Sequence, residues 1–467
     1  MTEPCSAMES PGDSDPRSAC RPLRRVPPQP TPGQASPPVD CRDTLTGLPN
    51  RAGAIRKLTG LLLEPTPAVA LLIDLDNFGA INGALGTSHG DSILREVGRR
   101  LQSCVGPRGF VARLGSDEFL VASALDDDAG VPELASRVLH QIASDPVQTD
   151  TAPVLLRATA GVVITSAATS AGELLRHAAV ALRAAKADGP GSWMVFDRSM
   201  LDDMELQFLL AQGLAQSLLD KSIVLAYQPI VDLVSGRMVE VEALLRWVHP
   251  VTGPVNPAEA VAIAESWGLI DQLGAVVLRQ ACNQAVRWHK QFPASSLRVG
   301  VNFSTMQLRD LTVIDVVTET LRSTGCRPDW LTIEITESCL LGDAERAVRV
   351  LGQLRALGVH LSLDDFGTGY SGLSYLTRLP FDVVKVDRSF LTGPSPLGDG
   401  AFLETLRRLA TGFRVLAEGV EDDDQRRVVT ECGFDLAQGW LFGRPQTPEQ
   451  IAERLAAQAA VNSGLPS

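Results

Sequence analysis

The chain has 467 residues, of which 45% are apolar, and a formal net charge of −13. That length exceeds what one ordinary core accommodates, so two domains are expected. The acidic balance excludes broad nucleic-acid binding, which needs a basic face to displace counterions, but leaves room for a small anion held through metal ions.

Residues 1–40 are crowded with Pro, Ser and charge ("PPQPTPGQASPP") and lack apolar periodicity, so they read as a disordered tail. "RPLRR" is followed by no apolar run of the kind a secretory signal needs. Residues 41–197 alternate helical and strand patterns. "AVALLIDLDNF" reads as a buried strand, "DSILREVGRRLQSCV" as an amphipathic helix, and "GFVARLGSDEFLVAS" as two strands about a tight turn. "ATAGVVIT" is a further strand and "AGELLRHAAVALRAAKADG" a helix closed by Gly189. The expectation is an α/β domain with a small, partly antiparallel sheet. A helix over residues 198–221 then connects to a region, 222–460, of different character.

There, short apolar strands recur between helix-length segments: "IVLAYQPIV", "MVEVEALLRWV", "LRVGVNFS", "LTIEITES", "VHLSLDDFG", "FDVVKVDRSF", "RVLAEGV" and "LAQGWLFG". Eight strands in that rhythm predict a TIM-like (β/α)8 barrel. The short link "DLVSGR" between the first two predicts a local antiparallel departure. No apolar stretch approaches the roughly 20 residues that span a bilayer. The eight cysteines are scattered without a CxxC pair and read as reduced thiols, so a cytoplasmic location is expected.

In such a barrel the reactive groups gather at the C-terminal strand ends. Those ends carry Gln228, Glu242, Asn302, Glu334, Asp364 with Asp365, Lys385, Glu418 and Gln438. Alone, "DDFG" reads as a turn; with the other polar ends it reads as a site. Buried carboxylates are costly unless cations neutralise them, and hard oxygen ligands in this number suit two Mg²⁺ or Mn²⁺ ions. Two such ions clamp an in-line attack on phosphorus, so hydrolysis of a phosphate ester is expected, with Lys385 orienting the water or neutralising charge.

"YQPIV", "EALLRW", "VNFS", "EITES", "DDFGTGYSGLSYL", "KVDRSF", "AEGVE" and "QGWLFGRP" together resemble the EAL-domain cyclic-di-GMP phosphodiesterases, over about residues 205–455. The resemblance implies that Glu242, Asn302, Glu334, Asp364 and Asp365 bind the metals. It implies supporting roles for Lys385, Glu418, Glu421 and Gln438, with Gln228 and Arg246 contacting the dinucleotide. It also implies that "DDFGTGYS" couples the metal site to a homodimer interface.

Over residues 41–197, "DTLTGLPNR", "DLDNF", "GDSIL", "RLGSDEF" and "ALRAAK" resemble the GGDEF domain of diguanylate cyclases. Asp74 and Asp117, with Glu118 nearby, are placed to hold Mg²⁺ for phosphoryl transfer. The resemblance implies that Asn82 and Asp91 read the guanine of GTP. The pattern departs from the family at Ser116, where a second glycine is usual, at Gly79 in place of lysine, and at Pro190 in place of a phosphate-contacting arginine. "GPRG" stands where an RxxD inhibitory site would precede the turn. Three readings follow: a phosphodiesterase with a GTP-binding regulatory domain, a bifunctional cyclase and phosphodiesterase, and a catalytically silent nucleotide receptor. The first is the leading reading, and the complete acidic set argues against the third, since a mere receptor has no need of a full two-metal site.

Overall fold

In this computed structural model the described residues are 41–462, apart from 125–129, 151, 165–169, 310, 341–343, 368–378, 393–400 and 411. The tail over 1–40 and the coupling loop from Thr368 onward therefore lie outside the described residues. The chain divides into two compact units, Met1–Met200 and Leu201–Ser467.

The first unit is built on five strands: β1 (Ala68–Leu75), β2 (Gly109–Gly115), β3 (Glu118–Ala124), β4 (Ala158–Ile164) and β5 (Trp193–Val195). Their order is β2-β3-β1-β4-β5. β1 runs antiparallel to β3 and β4, while β5 joins β4 in parallel. The sheet is therefore mixed, as expected. Helices cover both faces, which explains why β1 is apolar without alternation. Val69, Leu71 and Ile73 pack with Ile93, Val97 and Leu101 of the helix Thr87–Cys104. Ala70 packs on the other side with Leu58 of the helix Arg51–Leu62, and Leu72 with Leu174 and Ala178 of the helix Ala171–Ala187.

That last helix lies so close to β4 that a Cβ on Gly161 would overlap the Ala178 carbonyl and the Leu182 amide. Both obstacles are backbone and have little freedom to yield. Gly161→Ala should therefore destabilise the first unit by about 1–3 kcal/mol, lowering its melting transition by roughly 2–12 °C. Thermal unfolding followed by circular dichroism checks this; an unmoved transition would contradict the close helix–strand approach.

The second unit contains β6 (Val224–Asp232), β7 (Met238–His249), β8 (Gly253–Val255), β9 (Arg298–Phe303), β10 (Leu331–Thr336), β11 (His360–Phe366), β12 (Val383–Val386), β13 (Arg414–Ala417) and β14 (Leu436–Gln438). Eight of these close a barrel in the order β6-β14-β13-β12-β11-β10-β9-β7, with β7 pairing back to β6. β6 is antiparallel to both neighbours, and the other neighbours are parallel. The antiparallel departure predicted from "DLVSGR" is present, set by a turn in which Asp232 Oδ1 accepts from the Ser235 amide and hydroxyl at 2.9 and 2.8 Å. β8 extends β7 as a hairpin.

One face of each parallel strand packs outward. Val299, Val301, Ile333, Ile335, Leu361 and Leu363 join a single core with the surrounding helices. The alternate positions point into the barrel, and these carry the polar residues. The helix Ser199–Asp220, expected as a connector, places Leu210, Ala211, Leu214 and Leu218 in a cluster with Trp247, Ile263 and Leu273. Trp247 Nε1 donates to Ser217 Oγ at 3.0 Å. Its second half is thus part of the barrel unit's packing.

Candidate active site

The inward positions at the C-terminal strand ends converge on one lysine. Lys385, on β12, is 1% exposed. Its Nζ lies 2.6 Å from Glu334 Oε2, 2.8 Å from Glu418 Oε1, 3.0 Å from Asp364 Oδ2 and 3.7 Å from Glu242 Oε2. Amides hold the ring in register. Asn302 Nδ2 donates to Glu242 Oε1 at 2.6 Å, and Gln438 Nε2 donates to Glu242 Oε2 at 2.7 Å and to Gln228 Oε1 at 3.2 Å. Gln228 Nε2 in turn donates to the Gly443 carbonyl at 3.2 Å.

Adjacent residues on a strand normally face opposite sides, so Asp364 and Asp365 would not share a site on regular β geometry. The backbone resolves this. Asp365 adopts a left-handed φ of +56°, and the pairing of β11 with β12 shifts register between Leu363 and Phe366. A non-glycine residue there costs on the order of 1–3 kcal/mol, the kind of strain that persists where a site requires it. The result is two overlapping groups whose oxygens lie within 4.8 Å of one another: Glu242, Glu334 and Asp364, and then Asp364, Asp365 and Glu418. Asp364 belongs to both. Gly300, which sequence reasoning passed over, makes room for this arrangement, since a Cβ there would overlap Glu334 Oε1.

The charges do not balance. One ammonium faces four carboxylates, with Asp365 beside them. Burial, together with repulsion from Glu242 and Asp364, pushes Glu334 well above the usual carboxylate range, despite the opposing pull of Lys385. Burial likewise raises Glu418 to about 8, again against Lys385, and raises Asp365, with Asp364 and Asp387 adding to the effect. Burial disfavours charge on Lys385, but the surrounding carboxylates more than offset it and hold the ammonium charged. Buried anions in excess, all oxygen donors, fit divalent cations of the hard type. Among the described residues, the buried Gln438 Oε1 also has no hydrogen-bond partner.

A pH dependence follows. Metal ions bind carboxylates, so a proton held on Glu418 below about pH 8 must leave when an ion arrives. Apparent Mg²⁺ affinity should rise with pH, by up to about tenfold per unit for each proton released, and flatten above pH 8. Calorimetry in buffers of different ionisation enthalpy would register the released protons. A Kd that is flat between pH 6 and 8 would argue that the ring is already ionised.

Beside the ring is an open cavity of about 340 Å³, walled by Gln228, Glu242, Glu418 and Gln438 and also by Glu421. Asp387, Arg388 and Trp440 complete much of its wall. These three were missed as site residues, although the quoted stretches "KVDRSF" and "QGWLFGRP" contain them. Trp440 is 52% exposed, and the Arg444 guanidinium lies 4.3 Å from its ring centroid. Arg246, on the same face of β7 as Glu242, donates from Nη1 to the Leu245 carbonyl at 2.7 Å.

In the first unit, Asp74 lies one residue before the end of β1, opposite Glu118 of β3, and its Oδ1 pairs with Lys186 Nζ at 2.7 Å. The turn between β2 and β3 keeps Ser116 at φ +26°. Arg113 holds that strained turn, donating from Nε and Nη2 to the Ser116 carbonyl at 3.0 and 2.6 Å. Arg113 Nη1 also reaches both oxygens of Asp43 at 3.1 Å. Asp117 follows, half-buried. Asn82 lies on the helix Phe78–Leu85, its buried Oδ1 without a hydrogen-bond partner among the described residues, and Asp91 lies on Thr87–Cys104. Among the described residues, the groups of three acidic side chains close enough to share an ion lie in the barrel. Asp76 accepts from Thr159 Oγ1 at 2.8 Å and the Gly191 amide at 2.9 Å. No described helix is long and apolar enough to cross a membrane.

Comparison with known proteins agrees with this geometry. Residues 211–445 match the EAL domain family, and residues 41–192 match the family described as Diguanylate cyclase, GGDEF domain. The chain is 35% identical over 423 residues to the cyclic di-GMP phosphodiesterase NbdA of Pseudomonas aeruginosa, covering 89% of this chain and 54% of NbdA. It is 35% identical over 422 residues to MucR of the same organism, a bifunctional diguanylate cyclase/cyclic di-GMP phosphodiesterase, covering 89% of this chain and 61% of MucR. The chain thus spans roughly half to three fifths of the length of these curated relatives. The solved PaMucR phosphodiesterase in complex with c-di-GMP superposes with a TM-score of 0.50 at 39% identity, covering 52% of this chain and 99% of that one.

Proposed function

The chain belongs to the EAL domain family and carries a GGDEF domain ahead of its EAL domain, and on that premise we propose that it hydrolyses cyclic di-GMP to the linear dinucleotide pGpG. The observation that carries this reading is the ring of buried carboxylates around Lys385. In this reading Glu242, Asn302, Glu334, Asp364, Asp365 and Glu418 hold two Mg²⁺ or Mn²⁺ ions. Bound there, the ions supply a water of lowered pKa and neutralise charge on the attacked phosphodiester.

The protein groups then divide the remaining work. Lys385 orients the attacking water by hydrogen bonding and screens the carboxylates from one another. Gln438 and Asn302 fix both oxygens of Glu242, so that its lone pairs stay directed. Gln228, Glu421 and Arg388 face the dinucleotide across the cavity, with Arg388 suited to a phosphate oxygen. Trp440 offers a ring face for a nucleobase. Arg246 would contact the dinucleotide through the guanidinium N–H groups that the Leu245 carbonyl leaves free.

The test is an assay of the purified chain with cyclic di-GMP and Mg²⁺ or Mn²⁺. pGpG should form with either ion and not in EDTA. Intact cyclic di-GMP under both ions would leave the receptor reading in its place.

A second reading concerns the first unit. There Asp74 and Asp117 would hold Mg²⁺ and Asn82 and Asp91 would read the base, so that the domain binds GTP. The orphaned Asn82 Oδ1 supports a polar ligand at that position. Gly79 and Pro190 remove two cations that family members direct at the phosphates, which favours GTP as a regulator over rapid cyclisation. Cyclic di-GMP made from GTP by the Glu242→Ala variant would instead establish a bifunctional enzyme, as MucR is described. Homodimerisation and a cytoplasmic location are part of the same proposal.

A further inference from the structure

The barrel has a second cavity at the end opposite the ring. It measures about 480 Å³, and its wall includes Arg298, Arg327, Arg414, His289, His360 and Trp330. Four of these positions stand four residues ahead of a ring residue: Arg298 before Asn302, Trp330 before Glu334, His360 before Asp364, and Arg414 before Glu418. Four residues of strand place the cavity roughly 13 Å from the ring.

The N-terminal face of such a barrel commonly serves stability, so the plain reading is a set of structural ion pairs. The pairs are present. Arg298 Nη2 lies 2.9 Å from Glu240 Oε2, Arg327 Nη2 2.7 Å from Asp329 Oδ2, and Arg414 Nη2 2.8 Å from Asp232 Oδ2. They leave capacity unused: among the described residues, Nη1 of all three arginines makes no hydrogen bond. Of the four carboxylates that pair here with Arg298, Arg327, Arg414 and His360, only Asp329 stands on the cavity wall. The wall therefore presents guanidinium groups, along with Ser295 and Ser296, to whatever enters.

An aromatic slot is not on offer. His289 stacks on Trp330 with centroids 3.8 Å apart and planes 6° apart, and the Arg327 guanidinium lies 5.5 Å from the same ring. Forked donors without a stacking face suit a phosphoryl group better than a base. We propose that this base cavity binds a small phosphate-bearing anion through Arg298, Arg327 and Arg414.

The site can be tested apart from the other two by titrating the full chain with inorganic pyrophosphate in EDTA at low salt. Without divalent ions the catalytic ring is a cage of carboxylates that repels anions, and the first unit lacks the Mg²⁺ that triphosphate binding requires. One saturable site is expected. The double variant Arg327→Gln/Arg414→Gln should weaken it at least tenfold with the melting temperature little changed, because both side chains are 40% or more exposed. Ser296→Glu, which adds a negative charge to an exposed wall position, should weaken it without removing any ion pair. A parallel titration with GMP separates sources: affinity equal to that of inorganic phosphate means the phosphoryl group alone is read, and tighter binding means a nucleotide is. Absence of binding at millimolar pyrophosphate, or binding untouched by these variants, would overturn the proposal.

Discussion

Glu242→Gln should lower cyclic di-GMP turnover by at least about a thousandfold. The substitution keeps the side chain's shape but removes its charge, and Glu242 accepts hydrogen bonds on both oxygens from amide nitrogens at 2.6 and 2.7 Å. A glutamine must set its own NH₂ against one of those donors, so the ring loses a bond as well as a charge. Metal-ion stabilisation of a developing negative charge amounts to several kcal/mol, and about 4 kcal/mol corresponds to a thousandfold in rate. Steady-state kinetics at saturating Mn²⁺, with circular dichroism confirming the fold, checks the expectation. Turnover within tenfold of the parent would mean that Glu242 is not a metal ligand in the reaction.

Lys385→Met should produce the largest change in stability, and one that depends on metal. The lysine is the cation shared by Glu334, Asp364, Glu418 and Glu242. Removing one partner of a buried ionic cluster costs about 3–5 kcal/mol, because the remaining charge is left uncompensated. In EDTA at pH 8 the barrel's melting temperature should fall by roughly 10 °C. The sign with pH is defined: as pH falls from 8 to 6, Glu418, whose carboxyl is raised to about 8, takes up a proton and the penalty shrinks. Saturating Mg²⁺ should restore much of the loss, while turnover stays low for want of the group that orients water. A variant as stable as the parent in EDTA would show that the ring is neutralised by protons alone.

Much of this arrangement was legible in the chain. Each barrel strand is a short apolar run ending in a polar residue, and that pattern exposed both the closed barrel and the identity of the ring. The antiparallel start was readable because "DLVSGR" is too short for a helical crossover. Other features depend on contacts distant in sequence. Nothing local shows that Gly300 makes space for Glu334, or that the helix Ser199–Asp220 is fixed by Ser217 beneath Trp247. Strand alternation alone would have separated Asp364 from Asp365, and the left-handed φ that brings them together is a backbone property a non-glycine residue does not announce. Trp440 and Arg388 lay inside recognised stretches, yet an exposed aromatic and a surface arginine carry no signal until the cavity between them is seen. The base cavity escaped notice for a related reason, because Arg298 and Arg414 open strands whose other ends drew the attention.

The most direct measurement is a crystal of the chain soaked in Mn²⁺ and examined by anomalous diffraction. Two peaks about 3.5–4 Å apart, one among Glu242, Glu334 and Asp364 and the other among Asp364, Asp365 and Glu418, are what the ring geometry requires. A map with no anomalous density there, and Lys385 still seated among intact carboxylate contacts, would contradict it.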